Sequence, residues 1–232
     1  MFNFTLLPPL SLYILFPWSV SKFPYRDFNS HERSDEVSND RYIDALLADL
    51  EQDLPLIWGR KVHSVFIGGG TPSLLEPEEL ARLLSGLRAR LQLTHNCEIT
   101  LEANPGIAEQ ERFSEYRRAG INRLSLGIQS FNDDSLQAIG RIHGRDAAIR
   151  AIEGAHRAGF ENINLDLMFG LPGQGIIEAG EDVDTAIALQ PTHISYYQLT
   201  LEPNTAFYHT PPPLPDDESI WQLQQQGQER LE

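Results

Sequence analysis

Short apolar segments alternate with longer amphipathic segments along most of this chain. Each short segment is rich in β-branched or aromatic residues and is bounded by Gly, Pro or Asn, which is typical of a strand buried in a parallel sheet. The pattern predicts strands over Leu10–Phe16 and over residues 64–67, 98–101, 123–128, 162–168 and 194–199.

The segments between these strands have apolar residues at helical spacing. In residues 40–53, the side chains Ile43, Leu46, Leu47 and Leu50 recur at positions i, i+3, i+4 and i+7, so they share one face of a helix. Charged residues near the segment ends and following Gly or Pro residues support the helix limits. Further helices are predicted over residues 77–91, 110–119, 146–158, 175–189 and 216–232.

Alternating strands and helices predict an α/β fold with a parallel sheet and right-handed crossovers. About six β/α units fit, fewer than the eight of a closed TIM barrel. The periodicity leaves open a doubly wound sheet or a partial barrel. We expect an N-terminal extension over residues 1–9, a core over 10–209, and a Pro-rich linker with the start of a truncated C-terminal region over 210–232, because the last predicted helix reaches the final residue.

Composition and charge narrow the class of protein. Hydrophobic residues make up 41% of the 232 residues and charged residues 22%, which predicts an ordered core. The formal net charge of −15 argues against nucleic acid or an anionic membrane surface as a partner, because phosphates would be repelled. Pro8, Pro9 and Pro17 interrupt the apolar stretch over residues 2–20, so we expect no membrane span and a soluble, cytoplasmic protein.

Cys97 is the only cysteine of the chain. One cysteine excludes an intramolecular disulfide and any metal site built from several cysteines. Cys97 lies in a predicted strand, so we expect it to be a small buried side chain.

Polar residues follow several of the predicted strands. Glu102 and Gln129 come at strand ends, Asp166 interrupts an apolar strand, and Arg141 follows in a later loop. Because the carboxyl ends of parallel strands meet at one edge of a sheet, these side chains predict a polar mouth for a zwitterionic ligand with a ribose. Asp166 should be paired or bind ligand, because an unpaired buried charge is costly, whereas Arg141 could also be an ordinary solvated side chain.

A glycine-rich loop, residues 68–71, follows the second strand. Three consecutive glycines let backbone N–H groups approach a carboxylate or phosphate closely. The alternative is a tight turn with no ligand.

Five segments together resemble one protein family. Residues 10–28 (LSLYILFPWSVSKFPYRDF), 68–72 (GGGTP), 102–105 (EANP), 127–132 (GIQSFN) and 166–172 (DLMFGLP) match, in order and spacing, the radical S-adenosylmethionine (SAM) proteins grouped with heme chaperone HemW and oxygen-independent coproporphyrinogen III oxidase. The resemblance covers about residues 10–205. It implies a partial (β/α)6 barrel of the TIM type, SAM, a 4Fe-4S cluster and heme as cofactors, and a heme-acceptor protein as partner.

Carried over position by position, the resemblance also implies which residues contact SAM. They are Tyr13, Gly69, Gly70, Thr71, Glu102, Gln129, Arg141 and Asp166.

The sequence departs from this family where the cluster ligands belong. The family's C-x3-C-x2-C positions hold Ser19, Phe23 and Arg26. A hydroxyl is a hard ligand poorly matched to cluster iron, a phenyl ring has no lone pair, and a guanidinium is a cation without an acceptor. We therefore predict no metal ligands and no cluster-dependent activity. We expect Phe23 to fill the space of the cluster and Arg26 to pair with Asp27 or a site carboxylate.

The heme-binding motif of HemW relatives, His-Asn-x-x-Tyr, does not occur in this sequence.

The sequence leaves three hypotheses for the function. The first is a HemW-type radical SAM protein that cannot hold the cluster, by resemblance a heme chaperone. The second is a non-catalytic scaffold that binds SAM or a nucleotide. The third is an unrelated β/α enzyme that uses residues 68–71 as a phosphate cradle.

Overall fold

The computed structural model describes residues 7–20, 23–26, 31–32 and 38–232. Six long strands form a parallel sheet, and two short strands form a separate sheet. The strands are β1 (Leu10–Phe16), β2 (Trp18–Ser19), β3 (His31–Glu32), β4 (Lys61–Gly69), β5 (Gln92–Ala103), β6 (Arg123–Gln129), β7 (Asn162–Phe169) and β8 (His193–Gln198).

The large sheet has the order β1-β4-β5-β6-β7-β8, and β2 pairs with β3. Each strand of the large sheet therefore lies next to the following one, without the reversal of strand order that defines a doubly wound sheet. This order is that of a barrel with six β/α units. Among the described residues β1 and β8 are the edges, so the barrel is partial.

The helices follow the strands in the order that the periodicity predicts. They are α1 (Asn39–Asp53), α2 (Pro77–Arg90), α3 (Ile107–Ala119), α4 (Asp133–Ala138), α5 (Arg145–Arg157), α6 (Ile176–Ala188), α7 (Ala206–His209) and α8 (Asp217–Leu231). Two 3-10 turns, Leu54–Ile57 and Pro72–Leu74, complete the regular structure.

Helix α2 illustrates why these segments are helical. Pro77 opens the helix, where its missing N–H costs nothing, and the Glu79 carboxylate accepts the Glu76 N–H at 2.8 Å. One face of α2 then packs into the core, and burial of each leucine stabilises the fold by roughly 1.5–3 kcal/mol. The buried leucines are Leu80, Leu83, Leu84 and Leu87.

Helix α8 packs on α6 and on the β8 side of the sheet. Leu223 is buried, and Gly227 lies directly against the ring of Tyr196. Arg230 forms an ion pair with Asp184 of α6. The last helix thus covers part of the barrel wall near its open edge.

The predicted strands and helices are confirmed, with differences at their ends. Strand β5 begins at Gln92 instead of residue 98, and its first residues pair with the start of β4. The short elements α4, α7 and the β2–β3 pair are not predicted, because two to six residues are too few to display a period. Cys97 is buried in β5, and burial raises the pKa of its thiol. Within the described residues no helix is both long and apolar enough to cross a bilayer.

Candidate functional site

A cavity of about 510 Å³ opens at the carboxyl ends of the strands. It is the place where parallel α/β folds bind ligands. The resemblance names eight SAM-contacting residues, and six of them line this cavity: Gly70, Thr71, Glu102, Gln129, Arg141 and Asp166.

The other two predicted residues, Tyr13 and Gly69, lie beside the cavity and not in its wall. Tyr13 is 58% exposed at the edge strand β1, where its ring stacks on Phe66 at 5.8 Å. Partial burial raises the pKa of the Tyr13 hydroxyl, and the nearby Glu102 carboxylate raises it further. The Gly69 N–H donates to Glu102 Oε2 at 3.0 Å. A direct ligand contact by either residue stays a prediction.

Glu102 is half-buried near the end of β5, directly after the buried residues 99–101. Its carboxylate lines the cavity. Burial raises its pKa, while the Gly69 N–H and the guanidinium of Arg26 lower it. A carboxylate in this setting accepts hydrogen bonds from an amine or a hydroxyl of a ligand.

Asp166 is held by neutral donors. Its carboxylate accepts hydrogen bonds from Ser125 Oγ at 3.3 Å and from Asn164 Nδ2 at 2.9 Å. Burial raises its pKa, and these hydrogen bonds oppose the shift. Hydrogen bonds from neutral side chains thus hold the Asp166 carboxylate at the cavity, and ligand binding by Asp166 stays a prediction.

Gln129 occupies a strained position at the end of β6. Its φ of 65° lies in the left-handed region, which costs a residue other than glycine of the order of 1 kcal/mol. The side chain is buried and lines the cavity, and its Oε1 has no hydrogen-bond partner among the described residues. An acceptor held in this way is available to a donor on a ligand.

Arg141 is only 8% exposed, so the interpretation of a solvated arginine is wrong. Its Nη2 donates to Asn104 Oδ1 at 3.1 Å and to the carbonyl of Gly127. Its guanidinium lies 4.4 Å from the ring centroid of Phe23. Burial lowers its pKa. Its Nε–H has no acceptor within the described part of the chain.

The glycine-rich loop uses its N–H groups within the protein. Gly69 donates to Glu102, Gly70 to the carbonyl of Phe16 at 2.7 Å, and Thr71 to that of Trp18 at 2.7 Å. A Cβ on Gly70 would lie 2.3 Å from the Trp18 carbonyl oxygen, so this glycine is required by close packing. Each of these three N–H groups is donated to an acceptor of the protein, so none of the three is free to bind a phosphate.

The three cluster-ligand positions do not suit a cluster. Ser19 is 2% exposed and its Oγ has no partner among the described residues, and Phe23 is 6% exposed and stacks on Tyr25 at 6.0 Å. Arg26 Nη1 donates to the Gly70 carbonyl at 3.1 Å. One hydroxyl, one phenyl ring and one guanidinium supply no thiolate, and iron–sulfur clusters require thiolates or, less often, imidazoles.

These positions confirm that Phe23 is packed, whereas Asp27, the proposed partner of Arg26, lies outside the described residues. In the same described part of the chain, no three His, Cys, Asp or Glu residues gather to hold a metal ion.

Two further residues that line the cavity, Asn104 and Tyr197, are not among the predicted site residues. Tyr197 projects from β8, where burial raises the pKa of its hydroxyl to about 12, and Asn104 holds Arg141 in place. Asn104 lies two residues after Glu102, so its position past the strand end was a usable signal. Tyr197 lies in β8, a strand of mixed polarity, so the sequence does not mark it as a residue of the cavity.

The cavity and the order of its strands can be compared with known proteins. A family model described as the radical SAM superfamily matches residues 28–186. This chain belongs to the radical SAM superfamily. The match begins after Arg26 and ends within α6, so it includes β4 to β7 but neither β1 nor the three cluster-ligand positions.

Similar relatives within the superfamily are heme chaperones. The chain is 53% identical over 225 residues to heme chaperone HemW of Escherichia coli, covering 97% of this chain and 60% of that protein. It is 38% identical over 200 residues to HemW of Bacillus subtilis, covering 86% of this chain and 52% of that protein. The chain thus spans about half to three fifths of these relatives, and its resemblance to the HemW group is confirmed.

The fold is confirmed by a solved structure. Coproporphyrinogen III oxidase (HemN) from Escherichia coli, described as a radical SAM enzyme, superimposes with a TM-score of 0.83 at 28% identity. The match covers 94% of this chain and 51% of that one.

Proposed function

We propose that this chain is a HemW-like protein of heme metabolism whose barrel keeps a SAM-type pocket but does not hold the 4Fe-4S cluster. The observation that carries this proposal is the identity and packing of the side chains at the cluster-ligand positions. Phe23 is buried where a ligand thiolate belongs, and Arg26 is bonded to the Gly70 carbonyl. Neither side chain has an electron pair to offer to iron.

SAM would be held by the residues that line the cavity. Glu102 and Asp166 supply carboxylates for an amine or for ribose hydroxyls, and Gln129 and Arg141 supply an unpaired acceptor and an unpaired donor among the described residues. In cluster-bearing relatives, SAM supplies a 5′-deoxyadenosyl radical after one-electron reduction. Here the pocket binds and orients, and no side chain of the loop delivers an electron.

A binding experiment tests the pocket. We expect saturable binding of SAM to the purified, iron-free chain by calorimetry, and Asp166→Ala should weaken it about tenfold, because a charged acceptor is lost. Asp146→Ala is the matched control, since Asp146 is exposed on α5. The absence of SAM binding to the unaltered chain, or an equal loss in both variants, would contradict the proposed pocket.

The heme role comes from the relatives, which are named heme chaperones. This sequence lacks the His-Asn-x-x-Tyr motif, so a saturable change in the Soret absorbance when heme is titrated into the chain would mean that other residues of the chain bind heme. A linear, non-saturating change would remove heme handling and leave a second candidate function, a non-catalytic scaffold for an adenosyl ligand. The cavity itself favours that candidate, because six of the predicted SAM-contacting residues line it.

A further inference from the structure

Asp166 belongs to a small polar network on the cavity side of the sheet. The strand register pairs Ser125 of β6 with Asn164 of β7. It likewise pairs Asp166 of β7 with Ser195 of β8. Because side chains two residues apart on a strand point to the same face, Asn164 and Asp166 lie side by side. Three neighbouring strands thus bring together one carboxylate, one amide and two hydroxyl groups.

Asn164 is the centre of this network. It is 3% exposed, and its Nδ2 donates to Asp166 Oδ1 at 2.9 Å and to Ser125 Oγ at 3.0 Å. Its Oδ1 accepts the hydroxyl of Ser195 at 3.0 Å. The amide takes this orientation because the opposite one would set its oxygen against the carboxylate oxygen of Asp166.

The hydrogen bonds of the network all run towards the carboxylate. Ser125 Oγ accepts from Asn164 and donates to Asp166 Oδ2 at 3.3 Å, so each carboxylate oxygen receives a donor. Burial raises the pKa of Asp166, and hydrogen bonds from Asn164, Ser125 and Ser195 oppose that shift. A carboxylate held at both oxygens keeps one orientation and ionises more readily than burial alone would allow.

The network extends from the wall of the cavity to the layer behind it. Ser125 and Asp166 line the cavity, whereas Asn164 is not among its lining residues in the part of the chain that the structure describes. A buried amide is costly unless its hydrogen bonds are made, and here both N–H groups of Asn164 are donated to residues of the cavity wall. This arrangement indicates a role that Asn164 exerts through Asp166.

We propose that Asn164 is a positioning residue of the cavity, which holds the Asp166 carboxylate in the orientation that binds the ligand. This inference rests on the proposed SAM-type pocket and adds a residue that controls its affinity without contacting the ligand. Asn164 acts through the N–H groups that it donates to Asp166 and Ser125.

A double-mutant cycle measured by calorimetric titration with SAM tests the inference. Asn164→Leu keeps the size of the side chain and removes its donors, and we expect it to weaken SAM binding about fivefold. In a chain that already has Asp166→Ala, the same substitution should cause no further loss, because Asn164 then has no carboxylate to hold.

Asn122→Leu is the matched control. Asn122 also uses both ends of its amide, donating to the Cys97 carbonyl at 2.9 Å and accepting the Ile99 N–H at 2.7 Å. It precedes β6, however, at the amino ends of the strands and away from the cavity. We therefore expect Asn122→Leu to leave SAM affinity unchanged.

The pH dependence of SAM binding gives a second readout, which a role in packing alone would not move. Asn164→Leu removes one of the hydrogen bonds that lower the pKa of Asp166, so its affinity for SAM should begin to fall at a higher pH than that of the unaltered chain. The charged or titratable groups that act on Asp166 from the neighbouring strands and the loop after α4 are the same in both chains: Glu102, Arg123, Arg141 and Tyr197.

The outcomes separate the two proposals. Unchanged SAM affinity in Asn164→Leu, or an equal loss with and without Asp166→Ala, overturns the positioning role and leaves the pocket intact. Failure of the unaltered chain to bind SAM overturns both proposals. Should Asn164→Leu fail to fold, Ser195→Ala at an exposed position removes the donor to Asn164 Oδ1. We expect a loss of about twofold in that variant, and unchanged affinity there would contradict the network.

Discussion

Asp182 is a buried carboxylate that shapes the turn after β6. It is 3% exposed and accepts hydrogen bonds from Ser130 Oγ at 2.7 Å and from the Phe131 N–H at 2.6 Å. These hydrogen bonds fix the backbone just beyond Gln129, so they help to hold Gln129 in its strained backbone conformation at the cavity. Burial nevertheless dominates and raises the pKa of Asp182 to about 6.

The raised pKa predicts a pH dependence of stability. Between the unfolded pKa of about 4 and the folded value, the folded chain binds more protons at this site than the unfolded chain. The contribution of Asp182 to the free energy of unfolding is therefore largest below pH 4 and is lost as the pH rises to about 6. The loss is about 3 kcal/mol, at 1.36 kcal/mol for each pKa unit.

Urea unfolding between pH 4 and pH 7 measures this contribution. Asp182→Asn should flatten the fall in stability over that range, because the amide does not titrate, whereas the exposed residue Asp53 offers a control in Asp53→Asn. A pH profile that is the same in Asp182→Asn and in the unaltered chain would show that Asp182 is not the titrating group.

At the same scale, the sequence predicts the chemistry of the cavity better than its geometry. The sequence predicts Glu102 and Asp166 as site residues, because charged residues are unusual at the end of, or within, apolar strands. The use of the Gly70 and Thr71 N–H groups could not be predicted, because their acceptors are carbonyls of β1 and β2 that only the folded chain brings near. The burial of Arg141 depends in the same way on Phe23, which is more than one hundred residues away in sequence.

At the scale of elements, the docking of α8 depends on a missing side chain. A Cβ on Gly227 would lie 2.2 Å from the Tyr196 ring, so the helix approaches β8 as closely as it does only because residue 227 is glycine. In α5, a Cβ on Gly154 would have ordinary van der Waals contacts, the nearest of them with Arg157 Nη2 at 3.8 Å. The same substitution should therefore have opposite effects in the two helices.

Gly227→Ala should lower the free energy of unfolding by about 1–3 kcal/mol, because the added methyl group overpacks the contact. Gly154→Ala should leave it unchanged or raise it by up to about 1 kcal/mol, because alanine has the better helix propensity. Thermal or urea unfolding of both variants measures the difference. Equal effects would mean that α8 does not pack against Tyr196 as described.

The strands and helices of the core were predictable because each is long enough to display a period and each has a clear stop signal. Helix α4, with six residues, is shorter than two turns, and its N-cap Asn132 is a common loop residue. The sequence does not predict the early start of β5, because four of the six residues 92–97 are polar and their pairing with the start of β4 has no hydrophobic pattern.

At the scale of the whole molecule, a radical SAM barrel is combined with a loop that lacks the chemistry of its family. The family model, the fold and the cavity all agree with cluster-bearing relatives. The chain nevertheless has only one cysteine. That cysteine is buried in β5 and is not among the residues that line the cavity. The number of thiols was readable from the sequence, whereas the packing of Phe23 against Arg141 required the structure.

Iron and sulfide content after anaerobic reconstitution tests the central claim most directly. We predict that the unaltered chain, desalted after reconstitution, retains no stoichiometric iron and shows no cluster absorbance or, after reduction, electron paramagnetic resonance signal. A chain with Ser19→Cys, Phe23→Cys and Arg26→Cys together is the comparison, and we expect it to recover these signals. A 4Fe-4S cluster bound stoichiometrically by the unaltered chain would contradict the account.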